Sequence, residues 1–196
     1  MKKLLIPIIA IIAVLAILGS MVMGPYNKLV SLEQDVNNAE SNIDTNLQRR
    51  LDLIPNLVET VKGYAKHESD VFKNVADARS KLAGATENGS PAEKAEANAE
   101  MTSALGRLIA ISEAYPELKA DTQFTGLRDE LAGTENRIAI ARRDYNDKVS
   151  EYNKVVKSFP MNLFAGIIGK HEKEYFKADS AAKDAPSVDF NTGDDK

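Results

Sequence analysis

The sequence predicts an all-α protein, an N-terminal transmembrane helix followed by an elongated antiparallel up-and-down helical bundle of the four-helix-bundle type. Three observations carry this prediction. The stretch from Leu4 to Met23 contains no charged residue. From Tyr26 to Leu82, and again from Phe124 to Ser158, apolar residues recur at alternating intervals of three and four, the period of an amphipathic helix. No segment shows the apolar–polar alternation that a half-buried strand requires.

The first element is MKKLLIPIIAIIAVLAILGSMVMG, residues 1–24. As a helix, its uncharged run spans about 30 Å, the hydrocarbon thickness of a bilayer. Lys2 and Lys3 ahead of an apolar stretch also fit a cleaved secretory signal. The run is longer than a usual signal core, however, and LGSMVMGPYN offers neither a small-x-small cleavage site nor a cysteine for lipidation. An uncleaved signal anchor is therefore the favoured reading. The two lysines favour a cytoplasmic N-terminus and an extracytoplasmic bundle, while Lys28 and the Arg49-Arg50 pair beyond the span weigh the other way.

The bundle follows, over residues 25–178. Its first stripe passes through Leu29, Leu32, Val36, Ala39, Ile43, Leu47, Leu51, Ile54, Val58, Val61, Ala65, Phe72, Val75, Ala78 and Leu82. GATENGSP, residues 84–91, is the first clear break, and Ser90-Pro91 is a cap and first-turn pair for the next helix. An alanine-rich helix then runs to Tyr115-Pro116, and PELKADTQF connects it to the last long helix, Phe124 to Ser158. Beyond that, FPMNLFAGIIGK is apolar and broken by Gly and Pro, HEKEYFKAD is a candidate short closing helix, and residues 179–196 read as a disordered acidic tail.

QRRLDLIPNLV, residues 48–58, interrupts the first stripe with a proline. Pro55 has no N–H to give the Leu51 carbonyl, so the helix must bend or reverse there. Reversal would make four helices and return FPMNLFAGIIGK to the membrane side. A bend would leave one helix running from Tyr26 to Leu82 and place that segment at the far end. The stripe keeps its phase across Pro55, and no glycine or spacer is at hand for a reversal, which favours the bend. Leu51, Leu53, Ile54 and Leu57 then face the core. Arg49, Arg50 and Asp52 are either solvated or tied to a neighbouring helix such as the one carrying Glu135 and Arg137.

Composition narrows the function classes. The 196 residues are 28% charged and 43% apolar, without Cys or Trp. The missing cysteines remove disulfides, Cys-ligated zinc, iron–sulfur clusters and thiol nucleophiles. With Lys2 and Lys3 set aside, 23 basic residues face 29 acidic ones, a formal −6 that is poorly suited to nucleic acid. His67 and His171 each precede a glutamate, but neither has a second histidine four residues on or a glutamate three residues before. No nucleophile elbow, P-loop or dinucleotide glycine pattern occurs. No catalytic residue, cofactor site or metal site is assigned. In TENRIAIARRDYN, Glu135, Asn136 and Arg137 are consecutive and fan around their helix, while Arg137 and Arg142-Arg143 are expected to pair with acidic neighbours across the bundle. Tyr145-Asn146 and Tyr152-Asn153 repeat at a seven-residue interval, which a packing repeat explains. The candidate partner-binding or inter-helix polar residues are Arg49, Arg50, Asp52, Asn56, Glu135, Asn136 and Arg137.

Several of these stretches together resemble a known family. YNKLVSLEQDV, SNIDTNLQRRLDLIPNLVETVKGYAKHE, ELAGTENRIAIARRDYNDKVSEYN and the residues from Phe159 to Ala178 are similar to the LemA family. The resemblance implies a single-pass bacterial membrane protein with a helical bundle, and no established reaction. It also extends to the magnetosome protein MamQ, which points to membrane organisation, and carries a family-level suggestion of envelope proteases of the HtpX type. The expectation is a non-enzymatic scaffold or adaptor of the bacterial inner membrane, with envelope proteins, membrane proteases among them, or further copies of the chain as partners. The alternative is an enzyme or metal-binding protein with a carboxylate or arginine site hidden in the bundle.

Overall fold

The computed structural model describes the backbone of residues 2–177, and before Met23 the side chains of Ile8, Ile9, Ile12 and Ala13 alone. Its helices are α1 (Lys2–Tyr64), α2 (Ser69–Asn88), α3 (Pro91–Ala110), α4 (Pro116–Lys119), α5 (Thr122–Lys157) and α6 (Met161–Phe164), with a 3-10 turn at Ile111–Glu113. No strand occurs among the described residues. The expected acidic tail, 179–196, lies outside them. Among the described residues no helix is long and apolar enough to cross a membrane. Most side chains of the Leu4–Met23 run fall outside that description.

α1 passes through Pro55 without a break, as the unbroken stripe predicts. The Leu51 carbonyl, which Pro55 leaves without its helical donor, accepts instead from Arg79 Nε of α2 at 3.3 Å. The first helix does not, however, continue to Leu82. It ends at Tyr64, and the chain reverses through Ala65–Glu68, where Ala65 N–H still bonds the Val61 carbonyl at 2.9 Å. The physical reason lies in KHESD, residues 66–70. Five polar residues in a row leave no apolar side chain between Ala65 and Val71 to hold a helix on the core.

This reversal changes the parity of the bundle. α1 and α5 form the longest pairing, and α2 and α3 form a hairpin beside them. At about 1.5 Å per residue, the 36 residues of α5 reach about 54 Å and the 20-residue hairpin helices only about 30 Å. The hairpin therefore covers only the half of the bundle remote from the leader. Four passes return the chain after α5 to the leader end, so FPMNLFAGIIGK lies there and not at the distal end, as the long first helix implied.

The caps follow the sequence closely. Ser90 accepts from Glu93 N–H at 3.3 Å, and Glu93 Oε2 accepts from Ser90 N–H at 2.7 Å, a reciprocal box with Pro91 in the first turn. Asp121 accepts from Phe124 N–H at 2.9 Å and starts α5 at Thr122, two residues earlier than expected. The core is one continuous cluster from Leu29 to Phe176, with Tyr145, Tyr152 and Phe124 its largest members.

HEKEYFKAD does not form the closing helix expected of it. Residues 171–177 form an extended strap that lies back along α5. They cover the α1–α5 seam where the short hairpin does not reach, and Phe176 is 2% exposed there.

Candidate functional site

The polar residues picked out in the sequence do not converge on one surface; two of them lead into a buried polar seam. Arg50 falls on the same heptad position as Val36, Ile43 and Leu57, all at most 3% exposed, so its guanidinium is carried into the core. There it pairs with Glu135 of α5, and the same nitrogen donates to Asn98 Oδ1 of α3 at 2.6 Å. Its second terminal nitrogen donates to Thr102 Oγ1 at 3.1 Å, and Thr102 in turn donates to the Asn98 carbonyl at 2.9 Å. Arg50 Nε has no hydrogen-bond partner. Burial pulls the Arg50 pKa down, and Glu135 opposes that pull.

One and a half turns towards the leader, a second buried cation completes the seam. Lys94, 4% exposed, stands 2.7 Å from Asp44 Oδ1 and 3.1 Å from Glu40 Oε1. Burial works against its charge, yet the Asp44 and Glu40 carboxylates beside it outweigh that and hold the ammonium above the usual lysine range. Lys94, Asn98 and Thr102 lie four residues apart on one face of α3, alternating with the buried Ala97, Met101 and Leu105. The sequence reading missed this face. Its signal was available: polar side chains recur in phase with the apolar positions of an otherwise small-residue helix.

The other candidates stay outside. Arg49 pairs with Glu130 on the surface, so it is tied to a neighbouring helix like Arg50. Asp52 accepts from Gln48 at 2.8 Å on the rim of an open cleft of about 830 Å³ between α1 and α2, which Arg49, Arg79 and Glu87 also line. Asn56 and Asn136 are exposed. Arg137 donates to Thr134 at 3.0 Å, and Arg142 donates to the Lys177 carbonyl at 2.8 Å while stacking on Phe176. These two arginines thus take neutral oxygens, not the acidic partners expected of them. His67 and His171 are exposed.

The seven-residue Tyr-Asn repeat has a specific use. Asn153 donates to the Lys173 carbonyl and accepts from the Lys173 N–H, both at 2.9 Å. Asn146 treats Phe176 in the same way, at 3.0 and 2.8 Å. Seven helical residues rise about 10.5 Å and three extended ones about 10 Å, so a heptad on α5 matches three residues of the strap. Tyr145 donates to the Glu174 carbonyl at 2.9 Å and meets the Phe176 ring edge-on. Burial raises the Tyr145 phenol to about 12.

Chemically, the seam joins α1, α3 and α5 by charge, and each of its carboxylates already faces a cation. Among the described residues no group of three or more His, Asp or Glu side chains is arranged to hold a metal ion. The arrangement ties α1, α3 and α5 together inside the bundle, and setting register is the best-attested use of such buried polar groups.

Known proteins align over most of the chain. It is 28% identical to magnetosome protein MamQ 2 of Paramagnetospirillum magneticum, over 92% of this chain and 74% of that protein. It is 27% identical to MamQ of Magnetospirillum gryphiswaldense over the same shares. Protein LemA of Metamycoplasma hominis is 25% identical, over 88% of this chain and 76% of its own. Residues 39–190 match the description "LemA family", a span that takes in the polar seam, Pro55 with the later part of α1, and the asparagine-held strap. The chain belongs to the LemA family.

Proposed function

We propose that this protein is a non-enzymatic scaffold of the bacterial envelope, anchored by its leader and presenting the bundle to protein partners outside the cytoplasm. The observation that carries the reading is the continuity of α1 from Lys2 to Tyr64. A helix that enters lipid through residues 4–23 and forms the spine of the bundle would hold that bundle upright on the membrane, without a flexible linker between them. The charge-free run is long enough to span the hydrocarbon core at about 30 Å. Resemblance to proteins named for the magnetosome supports a membrane setting. The polar seam supports a structural interior, since its ion pairs are committed to holding helices in register.

The test is membrane extraction combined with protease protection. The chain should stay in the membrane pellet after an alkaline carbonate wash and keep its Met1 start, and a C-terminal tag should be cut from the outside of intact spheroplasts. Crosslinking before detergent extraction should then recover partner proteins or further copies of the chain. A freely soluble product beginning near Gly24 would overturn the anchor, and crosslinks to neither partner nor copy would overturn the scaffold.

The cleft between α1 and α2 favours a second reading, a small-ligand site. Arg49, Asp52, Arg79 and Glu87 line it within about 830 Å³. A ligand that binds the native state must raise its melting temperature, so a thermal-shift titration with small anions separates the two readings.

A further inference from the structure

The segment between α5 and the strap divides its apolar side chains between two environments. Met161 and Ala165 are buried and close the end of the core. Phe159, Leu163 and Ile167 are 73%, 61% and 81% exposed, and Ile168 stands beside them at 39%. Closing the bundle end therefore accounts for only part of the segment. Large apolar side chains exposed together on one short segment mark a contact surface.

Its position identifies what covers it. α6 packs on α1, and Lys170 binds Glu33 and lies within Coulombic reach of Tyr26. From Met23, where the apolar run ends, α1 rises only about 15 Å to Glu33. The headgroup layer takes up about 5–8 Å of that, and interfacial side chains commonly reach about 5–10 Å into the boundary. A tilt of the spanning helix of the ordinary size, about 20°, brings one side of the bundle closer still. Lys28 and Lys154 are exposed at this same end, where they can meet lipid phosphates while the apolar tips enter beneath them.

We propose that Phe159, Leu163 and Ile167 form a second membrane contact, seated in the headgroup–acyl boundary of the bilayer that the leader spans. This rests on the anchored reading given above. Two contacts, one spanning and one interfacial, fix the rotation of the bundle about α1, so that one chosen face is turned to partners. A leader alone would leave that rotation free.

The chain lacks cysteine, so single-site labelling needs no background changes. Three full-length variants, Ile167→Cys, Ile12→Cys and Lys66→Cys, are labelled with an environment-sensitive fluorophore. Each is reconstituted in vesicles of phosphatidylethanolamine and phosphatidylglycerol carrying nitroxide lipids. Ile167 is exposed and outside the core, so its replacement leaves the fold intact. The Ile167 label should be blue-shifted and quenched by headgroup-depth nitroxides, and the Ile12 label by nitroxides deep in the acyl chains. The Lys66 label, at the distal reversal, should respond only to aqueous acrylamide. An embedded Ile12 label beside an Ile167 label that behaves like Lys66 would overturn the interfacial contact alone. An aqueous Ile12 label would overturn the anchor and this contact with it. An Ile167 label shielded from acrylamide yet untouched by lipid nitroxides would mean that protein covers the patch, and would overturn the lipid assignment.

Discussion

Arg79 donates its Nε hydrogen to the carbonyl of Leu51, the acceptor in α1 that Pro55 leaves without a helical donor. A proline inside a helix normally kinks or ends it, because the acceptor four residues back is orphaned and the ring crowds that turn. Here a side chain from the antiparallel neighbour supplies the hydrogen, and the long spine of the bundle survives. The same contact fixes the height of α2 against α1.

If that compensation matters, Arg79 and Pro55 are energetically coupled. Arg79→Met should destabilise the protein by about 1–2 kcal/mol, the effect of leaving a part-buried carbonyl unpaired. In a Pro55→Ala background, where residue 55 can donate to Leu51 itself, the same substitution should cost only a few tenths. A double-mutant cycle from urea unfolding of the four proteins measures the coupling directly. Equal effects in both backgrounds would refute it.

The ion pair between Arg50 and Glu135 is lopsided, with side-chain exposures of 4% and 37%. Removing the carboxylate strands a buried cation, so Glu135→Ala should cost about 3 kcal/mol. Removing the cation together with its buried acceptor, as in Arg50→Met with Asn98→Leu, leaves Glu135 free to turn to water and should recover most of that loss. Chemical denaturation midpoints of the single and double variants decide the order.

Two glycines, Gly84 inside α2 and Gly89 just beyond its end, should respond to alanine with opposite signs. A Cβ on Gly89 would stand 2.5 Å from the Ala85 carbonyl oxygen and 2.9 Å from Ala85 Cα, both backbone atoms that cannot swing away. Gly89→Ala should therefore loosen the α2–α3 turn by about 1–2 kcal/mol. A Cβ on Gly84, inside the helix, meets nothing within 4 Å, so Gly84→Ala should stabilise by about 0.5–1 kcal/mol through helix propensity. Thermal melts of both variants check the pair of signs.

Stability should fall on the alkaline side. Burial raises the Tyr145 pKa to about 12, above its ordinary value near 10, and Lys94 is also held above the usual lysine range. Both groups bind protons more tightly folded than unfolded, so their contributions are complete below about pH 10 and are lost as pH rises through the folded values. Tyr145 alone should account for about 2 kcal/mol of that loss. Tyr145→Phe should lower stability at neutral pH, by removing the bond to Glu174, and flatten the decline between pH 10 and 12. Urea midpoints followed across that range make the comparison.

The helical architecture was open to reading because it depends on spacing, and the stripe from Leu29 to Val61 and that from Leu131 to Val156 specify it. The reversal at Ala65–Glu68 was harder to see because it uses no glycine or proline at the turn. It is marked only by five polar residues, KHESD, in a stripe that otherwise resumes in phase. Lys94 and Asn98 were hidden for a related reason: on an alanine-rich helix, polar residues are read as a solvated face, and only the register of Ala97, Met101 and Leu105 reveals that they point inward. Arg50 was visible as a residue but not as a core position, although Val36, Ile43 and Leu57 at sevenfold spacing mark it as one. The extended strap was beyond reach, since HEKEYF has helix-forming residues and its conformation is imposed from outside, by two asparagines on α5.

That imposition yields the last prediction. Asn146 and Asn153 each give and take one hydrogen bond with a single strap residue, which side-chain amides can do and carboxylates cannot. Asn153→Asp keeps the size and the acceptor for Lys173 N–H but loses the donor to the Lys173 carbonyl, and buries a charge at a site only 5% exposed. It should release the strap, with Asn146→Asp adding to the effect. Hydrogen exchange should show the amides of Lys173 and Phe176 losing protection while the amides of α1 and α5 at the distal half keep theirs. Such local release is expected because the strap is a single extended segment laid on the outside of α5, which can open without unfolding the helices beneath it. Loss of protection throughout α5 would mean instead that the strap is an integral part of the core, and that the two asparagines hold the fold and not merely the segment.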